Sequence, residues 1–409
     1  EMTCPFRTRG KDFYNNGEYV RLQEHTWTSV DRFIENSYIA PIQGVARSIA
    51  SREDLANVDY VALGLTSQDK AWQLAQLDCL TAYYYMRALD FFGGVPVVYS
   101  TSDAVRGRSS DEETFNHIEQ LIISSRPNLK IRKSINEAQD GFITQAGATV
   151  MLGMLYLNAE AYIGKDRFAD AAKEFESVIR GDYGPYELDP TWSGPHGFDN
   201  DKSPEAIWNL MSEHSLMEWN WWYRYFFPQN AKTYFDVSFP ASIYNGFILT
   251  PSRPTANGAI YTQWKLGNSY EKFNDADLRK KPYVYLGNKK YEGMFLVGKL
   301  TSPRTGQTVK GAKEFAGKDI TRVDCVDVPG GTKSHEMEGQ ENSGVCLVKS
   351  PLPTDDDYDL LWNPDMPIYR LTEVYYALAE CKWRAGDKKG AADLINEVRR
   401  RNFANGIDP

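Results

Sequence analysis

Long hydrophobic runs are missing from this 409-residue chain. The longest apolar stretch, VMLGMLYLNA at 150–159, is far short of the roughly 20 residues a bilayer-spanning helix needs, so it reads as part of a packed helix. The opening EMTCPF has neither a basic start nor an apolar stretch, so no signal peptide is visible. Positive charge is in deficit: 46 Lys and Arg stand against 55 Asp and Glu, for a net charge of -9. That balance argues against a nucleic-acid partner, whose phosphates are neutralised by Lys and Arg, and RKK (279–281) and RRR (399–401) read as solvated faces. Only five histidines occur, no two at metal-ligand spacing on a helix, and His25 beside Trp27 reads as a hydrogen-bonded packing residue. Five cysteines form no CxxC pair, which argues against a structural zinc site. Cys79 and Cys381 lie in apolar helical contexts and read as buried thiols. Cys325 and Cys346 flank one loop; a disulfide there would suit an oxidising compartment, two free thiols fit as well, and spacing alone leaves both open.

Catalytic signatures are absent as well. There is no HExxH, P-loop, GxSxG or glycine fingerprint after a strand. The acid clusters DDDYD (355–359) and NDADLR (274–279) lack the twelve-residue calcium-loop pattern and read as turns and caps. A glycosidase's acid pair is a spatial property that no spacing reveals. No catalytic residue, metal ligand or cofactor is therefore assigned, and the chain is not expected to be an enzyme.

What is present is helical order at both ends. YIGKDRFADAAKEFESVI (162–179) and RAGDKKGAADLINEV (384–398) superimpose at an offset of 220, with Ala171, Ala172, Phe175 and Val178 falling on Ala391, Ala392, Ile395 and Val398. Small residues followed by apolar ones at steps of three and four make a helix face with a close-approach point. Each segment follows an amphipathic helix, 144–162 and 368–386, across a turn at Gly164 or Gly386, the pattern of tetratricopeptide-type hairpins. A further helix over 71–94 ends at a glycine pair, and Ser110 with Glu113 has capping-box spacing at the start of 110–122. From 183 to 367 Gly, Pro, Asn and Asp punctuate short segments such as EAIWNLM (205–211) and PYVYLG (282–287), which read as loops and a few short strands. The expected fold is mainly α: one merged domain over 1–409, with a helical scaffold at about 30–182 and 366–401 and a loop-rich, aromatic-rich binding part at about 1–29 and 183–365.

The binding part contains EWNWWYRYFF (218–227), seven rings in ten residues. As a helix, Trp219, Trp222, Tyr223 and Phe226 share a face and Trp221 and Tyr225 point elsewhere; as a strand, Trp219, Trp221, Tyr223, Tyr225 and Phe227 share one. Core closure accounts for some of these rings, but seven exceed what one short segment readily buries. Sugars offer flat C–H faces to such rings and hydroxyls to groups such as Asn220 and Arg224. Trp221 and Tyr225 are the first candidates for exposed platforms. RTRGKDFYNNGEY (7–19) mixes rings and hydrogen-bonding groups in Arg9, Asp12, Tyr14, Asn15 and Tyr19, and Trp264 is a third candidate.

The block MPIYRLTEVYYALAECKWRAGDKKGAADLINEVRRR (366–401) resembles the RagB/SusD family of nutrient-uptake outer-membrane lipoproteins. The resemblance rests on Arg370, Glu373, Val374, Ala379, Glu380, Ala385, Gly386, Leu394, Ile395, Asn396, Val398 and Arg399, with TAYYYMRALDFFGGVPVV (81–98), GDYGPYEL (181–188) and NDADLRKKPYVY (274–285) as further matching pieces. It implies four tetratricopeptide-like hairpins with an irregular ligand-binding part. It also implies a lipid-anchored protein on the outer-membrane cell surface of a Gram-negative bacterium. Such a protein would capture an oligosaccharide, or in some members a peptide, and deliver it to a SusC-like TonB-dependent transporter. The motif residues are scaffold, so architecture transfers better than the site does. The lipid-bearing cysteine is not identifiable, since Cys4 follows no signal sequence, and family members continue past the region of Arg401, so an excised portion is expected. A scaffold for gripping other proteins, without sugar affinity, is the reading from the residues alone that competes with capture.

Overall fold

The computed structural model of the chain describes residues 2–3, 21–22, 25–218, 226–227, 231–235, 248–249, 269–302, 305–311, 315–324, 341–354 and 359–407. Local sequence accounts for most helix boundaries. Helix α1 (Arg32–Ala56) is followed by α2 (Ser67–Phe92), which begins at a reciprocal capping box between Thr66 and Asp69 and ends at Gly93, whose φ of 71° suits glycine. The box expected at the start of α3 (Asp111–Ser125) is half formed: Ser110 Oγ accepts from the Glu113 amide at 3.0 Å, without the return bond. The helix expected over 144–162 is two helices, α4 (Gln145–Leu157) and α5 (Ala159–Ile163), broken at Asn158, whose side chain donates back to the Met154 carbonyl at 2.9 Å. Gly164 in the left-handed region then turns the chain into α6 (Phe168–Ile179), as its position in the sequence predicts. A short α7 (Ala231–Phe235) precedes the last hairpin, α8 (Leu371–Arg384) and α9 (Lys388–Arg399), the latter capped by Asp387 accepting from the Gly390 amide at 2.8 Å.

The helices stack in sequence order: α1 on α2, α2 on α3, α4 on α6, α6 on α8, and α8 on α9. The closest crossings fall on glycine as well as alanine. A Cβ on Gly44 of α1 would lie 2.5 Å from the Tyr84 ring, and one on Gly153 of α4 would lie 2.5 Å from the Phe175 ring. Gly153→Ala is therefore expected to destabilise the fold by about 1–3 kcal/mol through overpacking, outweighing a helix-propensity gain of about 1 kcal/mol. A urea midpoint at or above that of the parent would refute this.

The two repeated segments differ in burial. Ala171, Phe175 and Val178 are buried, as are Ala391 and Val398, but Ala392 and Ile395 are exposed. The reason is tertiary: α8 lies across α6, joined by the Lys382–Glu176 ion pair at 3.1 Å, and no described helix lies across α9 in that way.

Strands are short and confined to the middle of the chain and its edges. Ala206–Leu210 pairs antiparallel with Met366–Arg370, so the expected strand at 205–211 is present. Residues 366–370, expected as the start of the scaffold, are strand instead, held by that antiparallel pairing. Val284–Gly287 and Lys290–Glu292 form a hairpin whose turn residues Asn288 and Lys289 both have positive φ, the geometry a two-residue hairpin turn requires. A four-stranded sheet runs in the order Met2–Thr3, Ile248–Leu249, Cys346–Leu347, Phe295–Leu296.

Two large apolar cores result. One lies among the helices around Tyr85, Phe115, Met151 and Phe175, and the other in the loop-rich part around Phe198, Phe227, Tyr283 and Trp362. Cys79, Cys346 and Cys381 are free buried thiols, which sets aside a disulfide from Cys346; Cys325 lies outside the described residues. No described helix is long and apolar enough to cross a membrane.

Candidate functional site

The rings that dominate the sequence divide at residue 226. Phe226 is 7% exposed and Phe227 0%, so the end of the aromatic run belongs to the protein's own interior. Trp219, Asn220, Trp221, Trp222, Tyr223, Arg224 and Tyr225 lie outside the described residues, as do Arg9, Asp12, Tyr14, Asn15, Tyr19 and Trp264. His25 stacks at a tilt on Trp27, with centroids 5.0 Å apart.

Phe226 nonetheless leads to a concave site. It lines a cavity of about 180 Å³ with Met366 and Pro367. That cavity shares His196 and Lys349 with a larger one of about 540 Å³, which is walled by Trp192, Phe273, Arg279 and Tyr376. This volume falls in the range typical of small-molecule clefts.

The floor of the cleft is an ion cluster. Glu205, just before the strand Ala206–Leu210, is 0% exposed and binds Arg370 at 2.9 Å and Arg401. Arg370 sits where the strand Met366–Arg370 enters α8, and Arg401 lies in the turn after α9. Arg401 also donates to the Asp189 carbonyl at 3.0 Å and to Thr372 Oγ1 at 2.9 Å. The Glu205 carbonyl accepts from the Leu371 amide at 2.9 Å. One buried carboxylate thus ties both ends of the last hairpin to the loop-rich part. Burial pushes the Glu205 carboxyl up, but the Arg401 and Arg370 guanidinium groups outweigh it and hold it below its ordinary range.

Above this floor the basic groups are less well matched. Lys349 follows the strand Cys346–Leu347, and no described carboxylate lies within ion-pair distance of it. Burial, then the neighbouring Arg370, pushes its ammonium down to about 8, with Arg279 adding to the effect. His196 ends the turn Gly194–His196, and its ring has no hydrogen-bond partner among the described residues. Burial and the cations Lys349, Arg370 and Arg401 hold it well below the usual histidine range, so it is neutral at pH 7. Arg279 is paired with Asp277 at 2.6 Å and lies 5.0 Å from the Phe273 ring centroid. Burial raises the Glu373 carboxyl.

Past Arg279 and Tyr376 the cleft continues into a groove between α8 and α9, where Tyr376 is 40% exposed and Trp383 58%. The arrangement offers flat rings, hydrogen-bond donors and local positive charge, and it suits binding. No motif or spacing in the sequence marks Lys349, His196 or Trp192. The one local signal was a lysine ending the apolar run VCLV (345–348), which marks a charge carried to the edge of a core.

The sequence model of the SusD family matches residues 204–409. No curated protein matches the chain at a significant level. Among solved structures, a SusD superfamily protein from Parabacteroides distasonis superimposes with a TM-score of 0.68 at 16% identity, over 98% of this chain and 73% of that one. A SusD-like carbohydrate-binding protein from Bacteroides fragilis gives 0.66 at 14% identity, over 99% and 77%. Surface glycan-binding protein A from Bacteroides uniformis gives 0.63 at 15% identity, over 99% and 75%. At such identities the likeness concerns the fold, which agrees with the family match over the C-terminal half: the chain belongs to the SusD family.

Proposed function

We propose that this chain is a non-enzymatic binding protein of the outer-membrane cell surface, which captures oligosaccharides and delivers them to a partner TonB-dependent transporter. The observation that carries the proposal is the continuous cleft, in which Trp192, Phe273 and Tyr376 stand beside arginine, lysine and asparagine donors. Rings pack the C–H faces of sugars while the polar groups take their hydroxyls. Two structural neighbours bear names that refer to glycan or carbohydrate binding, which supports the same reading. In this proposal the loop-rich part, about 1–29 and 183–365, supplies most of the ligand contacts, and the helical scaffold holds it. Trp221 and Tyr225 remain the proposed platforms of the aromatic run, with Trp219, Trp222, Tyr223, Asn220 and Arg224 around them; Tyr225 precedes the cavity-lining Phe226 directly in the chain.

Isothermal titration against plant, fungal and host glycans tests this. Dissociation constants of about a millimolar to a micromolar, roughly -4 to -8 kcal/mol, are expected for at least one of them. Tyr376→Ala is expected to weaken that binding about tenfold, a loss of about 1.4 kcal/mol. Binding unchanged in Tyr376→Ala and Trp192→Ala would remove the cleft from the site. Binding unchanged in Trp221→Ala and Tyr225→Ala would remove those rings. A panel in which only peptides bind would replace the sugar by a peptide ligand.

A further inference from the structure

We propose that the cleft selects acidic oligosaccharides, seating the carboxylate of a uronic acid unit against Lys349 Nζ and the His196 ring. This rests on the glycan-capture reading and names the ligand class within it. Lys349 and His196 both line the two joined cavities, and neither side chain has an ion-pair or hydrogen-bond partner among the described residues. A half-buried ammonium without a counter-charge is costly, so the site is poised for an anion. The carboxylates nearby are already engaged. Glu205 holds Arg370 and Arg401, Glu373 lies 3.6 Å from Arg370, Asp277 holds Arg279, and Asp365, which lines the smaller cavity, accepts from the Ser212 amide at 2.8 Å and from Asn209 at 3.3 Å. Five cations line the larger cavity (Lys272, Arg279, Lys349, Arg370 and Arg401), against these four acids, so the local field is positive in a chain of net charge -9. The distant negative charges are screened beyond about 8 Å at physiological ionic strength, so the local cations decide what enters. Arg401 Nε, buried without a partner, adds a further donor at the floor.

A carboxylate bound here requires Lys349 to be protonated. With its ammonium at about 8, affinity for an acidic sugar falls as pH rises above that value. The groups facing it do not mask this. His196 is already neutral there, Glu205 is held ionised by its guanidinium partners, and Asp365, which burial raises to about 6, is ionised throughout that range.

The test is titration calorimetry of the whole chain with trigalacturonate and with the neutral galactose trimer of the same linkage, at pH 7 and pH 9.5. The expected result is at least tenfold tighter binding of the acidic trimer at pH 7, with most of the advantage lost at pH 9.5. Lys349→Met is expected to lower acidic-trimer affinity at least tenfold. Lys349→Arg keeps the preference and removes the loss at pH 9.5, because a guanidinium stays protonated. Equal affinity for both trimers, unaffected by either substitution, would overturn the inference and leave glycan capture standing. Binding of tetraglutamate in place of either trimer would overturn it in favour of a protein carboxylate. Failure of every glycan in the wider panel to bind would overturn the capture reading itself.

Discussion

Lys349→Met is expected to stabilise the fold at pH 7 by up to about 3 kcal/mol while weakening acidic-ligand binding. The lysine ammonium falls from 10.5 to about 8 on folding, because burial and the neighbouring Arg370 and Arg279 disfavour its charge. Each unit of such a shift corresponds to about 1.4 kcal/mol. The sign follows from proton binding: the unfolded chain holds this proton more tightly than the folded one, so the charged lysine opposes folding. The full cost is present below pH 8, declines as pH rises from 8 to 10.5, and has vanished above the unfolded value. Methionine fills a similar volume without a charge to desolvate. Urea unfolding at pH 7 and pH 10 checks the expectation. The variant's advantage is to be largest at pH 7 and to shrink towards pH 10 as the parent sheds its proton. A variant less stable than the parent at pH 7 would mean that Lys349 is matched by a counter-charge after all, and would remove the basis for an anion site. A residue that costs stability and faces an open cavity is more readily explained by function than by folding.

The opposite result is expected at the floor of the cleft. Glu205→Ala leaves two guanidinium groups at a buried position without their shared counter-ion, which is expected to cost about 3–5 kcal/mol. The loss is larger than that of a surface pair because Glu205 is wholly shielded from water and its two partners are 15% and 10% exposed. Acid acts on the parent in the same direction. The carboxyl titrates below its unfolded value, so its contribution is complete above the ordinary carboxylate range and is lost as pH falls through the folded value. In Glu205→Ala this part of the acid limb is expected to flatten. Urea midpoints measured between pH 7 and pH 3 report both effects; a shift below 1 kcal/mol at pH 7 would show that solvent replaces the carboxylate and that the cluster is not truly buried. Glu205→Gln, which keeps acceptor and shape, is expected to lose less than Glu205→Ala but to show the same flattened acid limb.

The two experiments divide the basic cluster into a part that holds the molecule together and a part that awaits a ligand. Arg370 belongs to the family-like motif and was expected to be scaffold, and its bond to Glu205 bears that out. The glutamate lies 165 residues away in sequence, so no local pattern announced the partner. Lys349 lies a few residues beyond a short strand and shows nothing in sequence but a charge at the end of an apolar run.

Much of the architecture was local chemistry and therefore legible. Ser110, Gly164 and Asp387 act on backbone groups a few residues away, and the apolar spacing of 162–179 and 384–398 needs only helix geometry to be recognised. The same spacing did not decide burial. Phe175 is enclosed and its repeat equivalent Ile395 is 39% exposed, because burial depends on whether another helix arrives from elsewhere in the chain. The aromatic run shows the same division: composition predicted that some of its rings close a core, and the fold assigned that task to Phe226 and Phe227. By itself the sequence determined the helical hairpins, the short strands and the family, since these follow from periodicity, caps and a long contiguous motif. Tertiary structure alone decided the cleft, because its walls come from residues 192–196, 226, 249, 269–295, 347–350 and 364–402, and a cavity exists only where segments so far apart in the chain fail to fill the space between them.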